Sequence, residues 1–234
     1  MNTIYFLLAV VAFDPSALTT NPGVAKVDRI LPGEKLIIHV LDWHYVGKKM
    51  FAECHKLEGE KLDKEYAKLL KEVAAVHASQ LKILADVKEV FSEGLTDENL
   101  PGYREALRGI TAYHKELKQF SPDDGPEAKK ILDEHQITLF QYGAAGELAL
   151  EGKLKELSAE GPEYDAARPM NGTVDPKLEL AREEAIVKRI LKHGKTSILV
   201  LGGGHDLTEI IRKHERWGYV RVKPKGYPNG QDEK

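Results

Sequence analysis

The chain of 234 residues carries 34 Lys and Arg against 37 Asp and Glu, a formal net charge of −3, with 42% hydrophobic and 30% charged residues. These are ordinary values for one folded domain and argue against wholesale disorder, and the lack of a long basic run argues against a dedicated nucleic-acid binder. Cys54 is the single cysteine, which excludes an intramolecular disulfide and a cysteine-rich zinc site, so any metal would be held by His, Asp and Glu.

Tyr5 to Phe13 (YFLLAVVAF) is an apolar run of signal-peptide length, too short to cross a bilayer as a helix. No Lys or Arg precedes it and no A-x-A site follows. Export is the favoured expectation, with a buried first strand in a cytoplasmic protein as the alternative. Nothing else approaches a transmembrane segment. Asp14 to Gly33, with Pro15, Pro22 and Pro32, reads as an extended leader, which puts one α/β domain at residues 34–225 and a polar tail at 226–234.

Leu36 to Leu41 (LIIHVL) reads as a buried strand ending at Asp42-Trp43-His44. The three- and four-residue steps of Leu62, Tyr66, Leu69, Leu70, Val73 and Val76 mark a long amphipathic helix over 62–85. Val87 to Phe91 reads as a second strand, closed by Ser92-Glu93-Gly94, and the βαβ unit so formed makes the two strands parallel. Thr96 is read as the N-cap of a helix marked by Tyr103, Leu107, Ile110, Tyr113 and Leu117, and Ser121 to Pro126 breaks the chain. Residues 127–165, with the small-residue step Gly143-Ala144-Ala145-Gly146, read as helices, and Pro162 to Val174 as a loop. Asp175-Pro176 starts a helix that Gly194 ends. Ser197 to Leu201 (SILVL) is the clearest strand; Gly202-Gly203-Gly204-His205 turns from it into a helix at Asp206, and Tyr219 to Val222 reads as an edge strand. The expected fold is α/β, a mostly parallel central sheet flanked by helices, its helical middle section capping the C-terminal strand edge.

Ligands of parallel α/β sheets bind beyond the carboxyl ends of the strands. Three such ends carry chemistry here: Asp42 and His44, Glu93, and His205 with Asp206. Two imidazoles and a carboxylate can hold a divalent metal with positions left for water and substrate. His44, Glu93 and His205 are therefore the candidate metal ligands, with Glu93 and Asp42 also candidate acid–base groups and Trp43, Gly203, Gly204 and Asp206 candidate ligand contacts. His39 sits inside its strand and reads as core. His55, His77, His114, His135, His193 and His214 read as structural or solvated. The triple glycine does not complete G-x-G-x-x-G, because Leu207 occupies the third glycine position, and no acidic ribose ligand follows, so no nucleotide is expected. G-x-S-x-G and H-E-x-x-H are both absent.

The ordered set Leu41-Asp42-Trp43-His44, Phe91-Ser92-Glu93-Gly94-Leu95, Ala181-Arg182-Glu183-Glu184 and Leu201-Gly202-Gly203-Gly204-His205-Asp206-Leu207 resembles the erythromycin esterase / ChaN / TraB / Tiki superfamily, most of all its uncharacterised bacterial members. The resemblance implies that His44, Glu93, Arg182 and His205 meet in one cleft. Members include metal-dependent proteases, macrolide-inactivating esterases and a haem-binding lipoprotein. Leu41 stands where the family usually has glycine, and Asp42 where the esterase and ChaN branches have glutamate. Tiki-like members read Gly-x-x-His, which aligns on His39, so His39 and His44 both stand as the first site histidine. The resemblance implies a hydrolase of peptide or ester bonds acting on a small-molecule or peptide substrate with Mn, Co or Zn. In it Arg182 clamps a substrate carboxylate or stabilises developing negative charge. The alternative is a non-enzymatic protein for haem or another small ligand.

Overall fold

A computed structural model describes residues 17–167, 174–228 and 230. The apolar run Tyr5 to Phe13 lies outside them. In chain order a short helix α1 (Ala17–Thr20) leads into strands β1 (Val24–Leu31) and β2 (Lys35–Asp42), then helices α2 (Lys48–His55) and α3 (Gly59–Leu84). Strand β3 (Glu89–Thr96) is followed by α4 (Leu100–Leu117), a 3-10 turn over Pro122–Asp124, and α5 (Pro126–Leu150). Strand β4 (Lys155–Glu160) and a short α6 (Glu163–Ala166) precede α7 (Pro176–His193), β5 (Ser197–Gly202), α8 (Thr208–Ile211) and β6 (Trp217–Pro224).

The strands form one sheet in the order β1-β6-β2-β5-β3-β4. All neighbours run parallel except β1, which pairs antiparallel with β6. A parallel sheet needs cover on both faces, and β2 shows it, since Leu36 to Leu41 are all buried. Strand alternation divides them. Leu36, Ile38 and Val40 pack with Val90, Val200 and Val220 beneath Ile83 and Leu84 of α3 and Leu148 of α5. On the opposite face Ile37, Leu199, Leu201 and Tyr219 pack under Ile186, Val187 and Ile190 of α7 and under Leu207 and Ile211. The result is three layers, helix on sheet on helix.

Helix α7 has the ends its sequence calls for: the Asp175 side chain accepts from Lys177 N–H, Pro176 occupies the first turn, and Gly194 closes it in the left-handed region at φ 78°. Five expectations are corrected. Residues 24–31 are a strand of the sheet, not leader, and Tyr227 of the supposed tail is buried beside Trp43. Tyr219 to Val222 lies inside the sheet between β1 and β2, so the edge strand is β1. Residues 155–160, expected as helix, form the opposite edge strand β4. Thr96 ends β3 instead of capping α4; its Oγ1 accepts from Asn99 N–H while Asn99 Oδ1 accepts from Thr96 N–H. Among the described residues no helix is long and apolar enough to cross a membrane.

Candidate functional site

The C-terminal ends of β2, β3 and β5 lie side by side, and what they carry converges on one carboxylate. Strand β3 presents Glu93 through an irregularity. Ser92 pairs with Ser158 and Thr96 with Glu160, so residues 93–95 stand opposite Ala159 alone, with Gly94 at φ 76°. Such bulges bend a strand and re-aim its side chains. Glu93 Oε2 accepts from Gly202 N–H at 2.7 Å and lies 2.9 Å from His44 Nε2. Its other oxygen accepts from Arg182 Nη2 at 2.8 Å and lies 3.6 Å from His205 Nε2.

His44 is held from behind. Asp42 Oδ2 lies 2.8 Å from its Nδ1, and Gln80 of α3 donates to Asp42 Oδ1 at 2.8 Å. Partial desolvation by the surrounding protein works to lower the His44 pKa, but the flanking Asp42 and Glu93 carboxylates outweigh it and hold the ring well above the ordinary imidazole value. Burial pulls Glu93 the other way; His44 and His205 overcome that and keep it well below the usual carboxylate range. Asp42 is lowered too, its burial outweighed by His44 and the Gln80 hydrogen bond.

His205 faces a different set. Its Nδ1 lies 3.0 Å from Glu179 and 3.0 Å from Glu183, one turn apart on α7. Burial depresses the ring, yet the Glu183 and Glu93 hydrogen bonds raise its pKa to about 9. Glu179, Glu183 and His205 are the group among the described residues whose ligand atoms lie close enough together to hold a metal ion, within 4.8 Å of one another. One imidazole and two carboxylates make a donor set that suits a divalent cation. His44 and Glu93 lie outside that set.

Arg182 locks the arrangement. Its Nε and Nη2 donate to the fully buried Glu160 at 3.2 and 2.6 Å, Nη2 also reaches Glu93, and Nη1 lies 3.5 Å from Glu179. Buried and engaged on every side, the guanidinium orients Glu93 instead of reaching for a substrate carboxylate. Its partners are not its chain neighbours Glu183 and Glu184, which do not share its helix face.

His39 is fully buried, with Nε2 2.9 Å from Leu201 O and Nδ1 2.7 Å from Tyr219 Oη. That geometry assigns the proton to Nε2, with the Tyr219 hydroxyl donating to Nδ1. Burial drives its pKa down to about 3, so it is a neutral bracket between strands, while His44 is exposed at the strand end. Asp206 Oδ1 accepts from Thr208 N–H at 3.0 Å at the start of α8. Gly203 gives its carbonyl to Arg221 at 2.6 Å and faces the Tyr227 hydroxyl, while Gly204 faces open space. Trp43 packs edge-on against Tyr227, and its buried Nε1 has no hydrogen-bond partner among the described residues.

Behind His44 and Glu93 a cavity of about 270 Å³ runs under α4 and α5. Its roof is a break in α5, where Gly143 adopts φ 68°, ψ 175°. The floor is Glu156 of β4, which accepts from Ser92 Oγ at 2.7 Å and from the Tyr103 hydroxyl at 2.6 Å. Sequence reasoning missed Glu156, Glu160 and Glu179. The first two belong to the unrecognised strand, but Glu179, Arg182 and Glu183 at helix positions i, i+3 and i+4 were a legible cluster on one face.

No family model, no curated protein and no solved structure matches the chain.

Proposed function

We propose that the chain is a hydrolase of peptide or ester bonds acting at the strand-end cluster of Asp42, His44, Glu93 and His205. The observation that carries this is the convergence of two histidines and Arg182 on the single carboxylate of Glu93 at the mouth of a cavity. Asp42 fixes the His44 ring through Nδ1, which leaves Nε2 as the atom that carries a proton toward Glu93 and the cavity. With its pKa raised, the ring is protonated at neutral pH and enters as the acid, donating to a leaving group. Glu93, held by Gly202 N–H and Arg182, keeps that proton in place.

Glu179, Glu183 and His205 would hold a divalent metal of the Mn, Co or Zn kind. When bound, it supplies water of lowered pKa and polarises a carbonyl. The superfamily resemblance supports the same reading. The haem alternative draws less support: about 270 Å³ is at or below the small end of ligand pockets, roughly 300–1,000 Å³, and both candidate axial nitrogens face carboxylates.

The deciding experiment is elemental analysis of the purified chain beside His44→Ala, His205→Ala and Glu183→Gln, with a peptidase and esterase screen and a haem titration of each. Near-stoichiometric Mn, Co or Zn lost in both variants, with hydrolysis lost in His44→Ala, is the expected result. A haem absorption band that depends on His44 and His205, with no metal and no hydrolysis, would overturn the proposal.

A further inference from the structure

Apart from His44, whose charge is matched by Asp42 and Glu93, the cavity behind it has a one-sided chemistry. Trp43, Tyr45, Tyr103, Phe140 and Tyr142 supply five aromatic side chains to its wall, and Asp42, Glu93 and Glu156 supply three carboxylates. No Lys or Arg lines it among the described residues. Basic side chains stand on the other side of the Tyr103–Glu156 pair, where Arg104, Arg108 and Lys155 line a separate groove.

The three acids are not equivalent. Asp42 and Glu93 hold His44 between them, and Glu93 also has Arg182. Glu156 is 6% exposed, yet among the described residues its carboxylate accepts hydrogen bonds only from the neutral hydroxyls of Ser92 and Tyr103. Arg104 reaches its backbone carbonyl at 3.1 Å instead. A buried carboxylate without a cation is costly and favours any cation that can reach it. Burial accordingly pushes its pKa up, with the two hydroxyls and the nearby Arg104 charge only partly offsetting the rise. Aromatic faces around such a site attract a cation further, more strongly when it is desolvated.

We infer that this cavity receives a compact alkylammonium group, so that the substrate class is a cationic amine bearing the scissile ester or amide. As a statement about substrate this rests on the hydrolase reading; as a statement about binding it does not. The cation would sit over the ring faces with Glu156 as counter-charge, and the neighbouring bond would lie at His44.

The test is an NMR titration of the full chain with choline and with its neutral isostere 3,3-dimethylbutan-1-ol. Choline is expected to bind about tenfold more tightly, the size of a desolvated cation–aromatic contact. Glu156→Gln keeps the shape and removes the charge, and should abolish most of that preference. If Glu156→Gln does not fold, as judged by circular dichroism, Tyr142→Leu carries the test and should reduce the preference several-fold. Equal binding of the two probes, or a preference untouched by the folded variants, overturns the inference. A choline preference in a chain that hydrolyses nothing keeps the inference and removes the hydrolase, while hydrolysis with no choline preference does the reverse.

Discussion

His44 and His205 each follow a parallel strand and each face Glu93, but their surroundings differ. The His44 side chain is 51% exposed and fixed between Asp42 and Glu93, beside a cavity. That of His205 is 14% exposed and backed by two α7 carboxylates. One ring is poised to exchange a proton with something that arrives; the other is enclosed by oxygen donors that suit a cation. Equal positions in a fold do not confer equal chemistry, because the strand ends themselves flank His44 with Asp42 and Glu93 while helix α7 supplies the carboxylates behind His205.

The strongest way to break this contrast is to exchange the losses. His44→Ala should lower kcat/KM by about 10²–10⁴ while leaving metal content intact, as expected for removal of an acid–base group. His205→Ala should lose metal as well as rate. Elemental analysis beside steady-state kinetics separates the two, and equal metal loss in both would erase the distinction. Arg182→Ala comes next. It strands Glu160 as a buried, unpaired charge and should cost about 3–5 kcal/mol in urea denaturation. Arg182→Gln should recover part of that through its hydrogen bonds.

His39, a third imidazole of the same sheet, sharpens the contrast from the opposite direction. It is neutral when folded, with a pKa near 3 against an ordinary 6.5. The unfolded chain therefore binds more protons between those values, so stability contributed above pH 6.5 is lost as pH falls toward 3. The wild-type slope should exceed that of His39→Gln by up to about 1.4 kcal/mol per pH unit in this window. Denaturation at pH 7 and pH 5 reads it, and identical slopes would show that His39 does not titrate on unfolding. The smallest effect is expected from Gly202→Ala. A Cβ there would lie 3.1 Å from His44 Nε2 and 3.5 Å from Glu93 Oε2, so the variant should fold normally and lose rate several-fold. Unchanged kinetics would mean that the His44–Glu93 contact does not govern the reaction.

The buried parallel strands were legible because β2 and β5 are continuous apolar runs, and the ends of α7 because Asp175-Pro176 and Gly194 have one conformational use. From these ends His44, Glu93 and His205 could be named. The edge strands were not legible. Strand β4 reads KELSAE, with only Leu157 and Ala159 apolar, because its other face carries Glu156, Ser158 and Glu160 as polar partners for the site region. A strand half given to buried hydrogen bonding looks like a solvated helix in sequence. Strand β1 was hidden for a similar reason, since Lys26, Asp28 and Arg29 interrupt any alternation at an edge facing water. The role of Arg182 depends on Glu160, and so was lost with β4, whereas Glu179 stood in view one turn before Glu183.

The place of β6 bears on how the chain reaches this state. Strands β1 and β2 are consecutive, yet β6 is threaded between them, in register with both. No early hairpin can unite the N-terminal strands, and each keeps an open edge until residues 217–224 have been synthesised. Contacts of such long sequence separation form slowly, and nascent chains stalled before β6 would expose bare strand edges that recruit other chains. Closure of the N-terminal half of the sheet thus waits on β6.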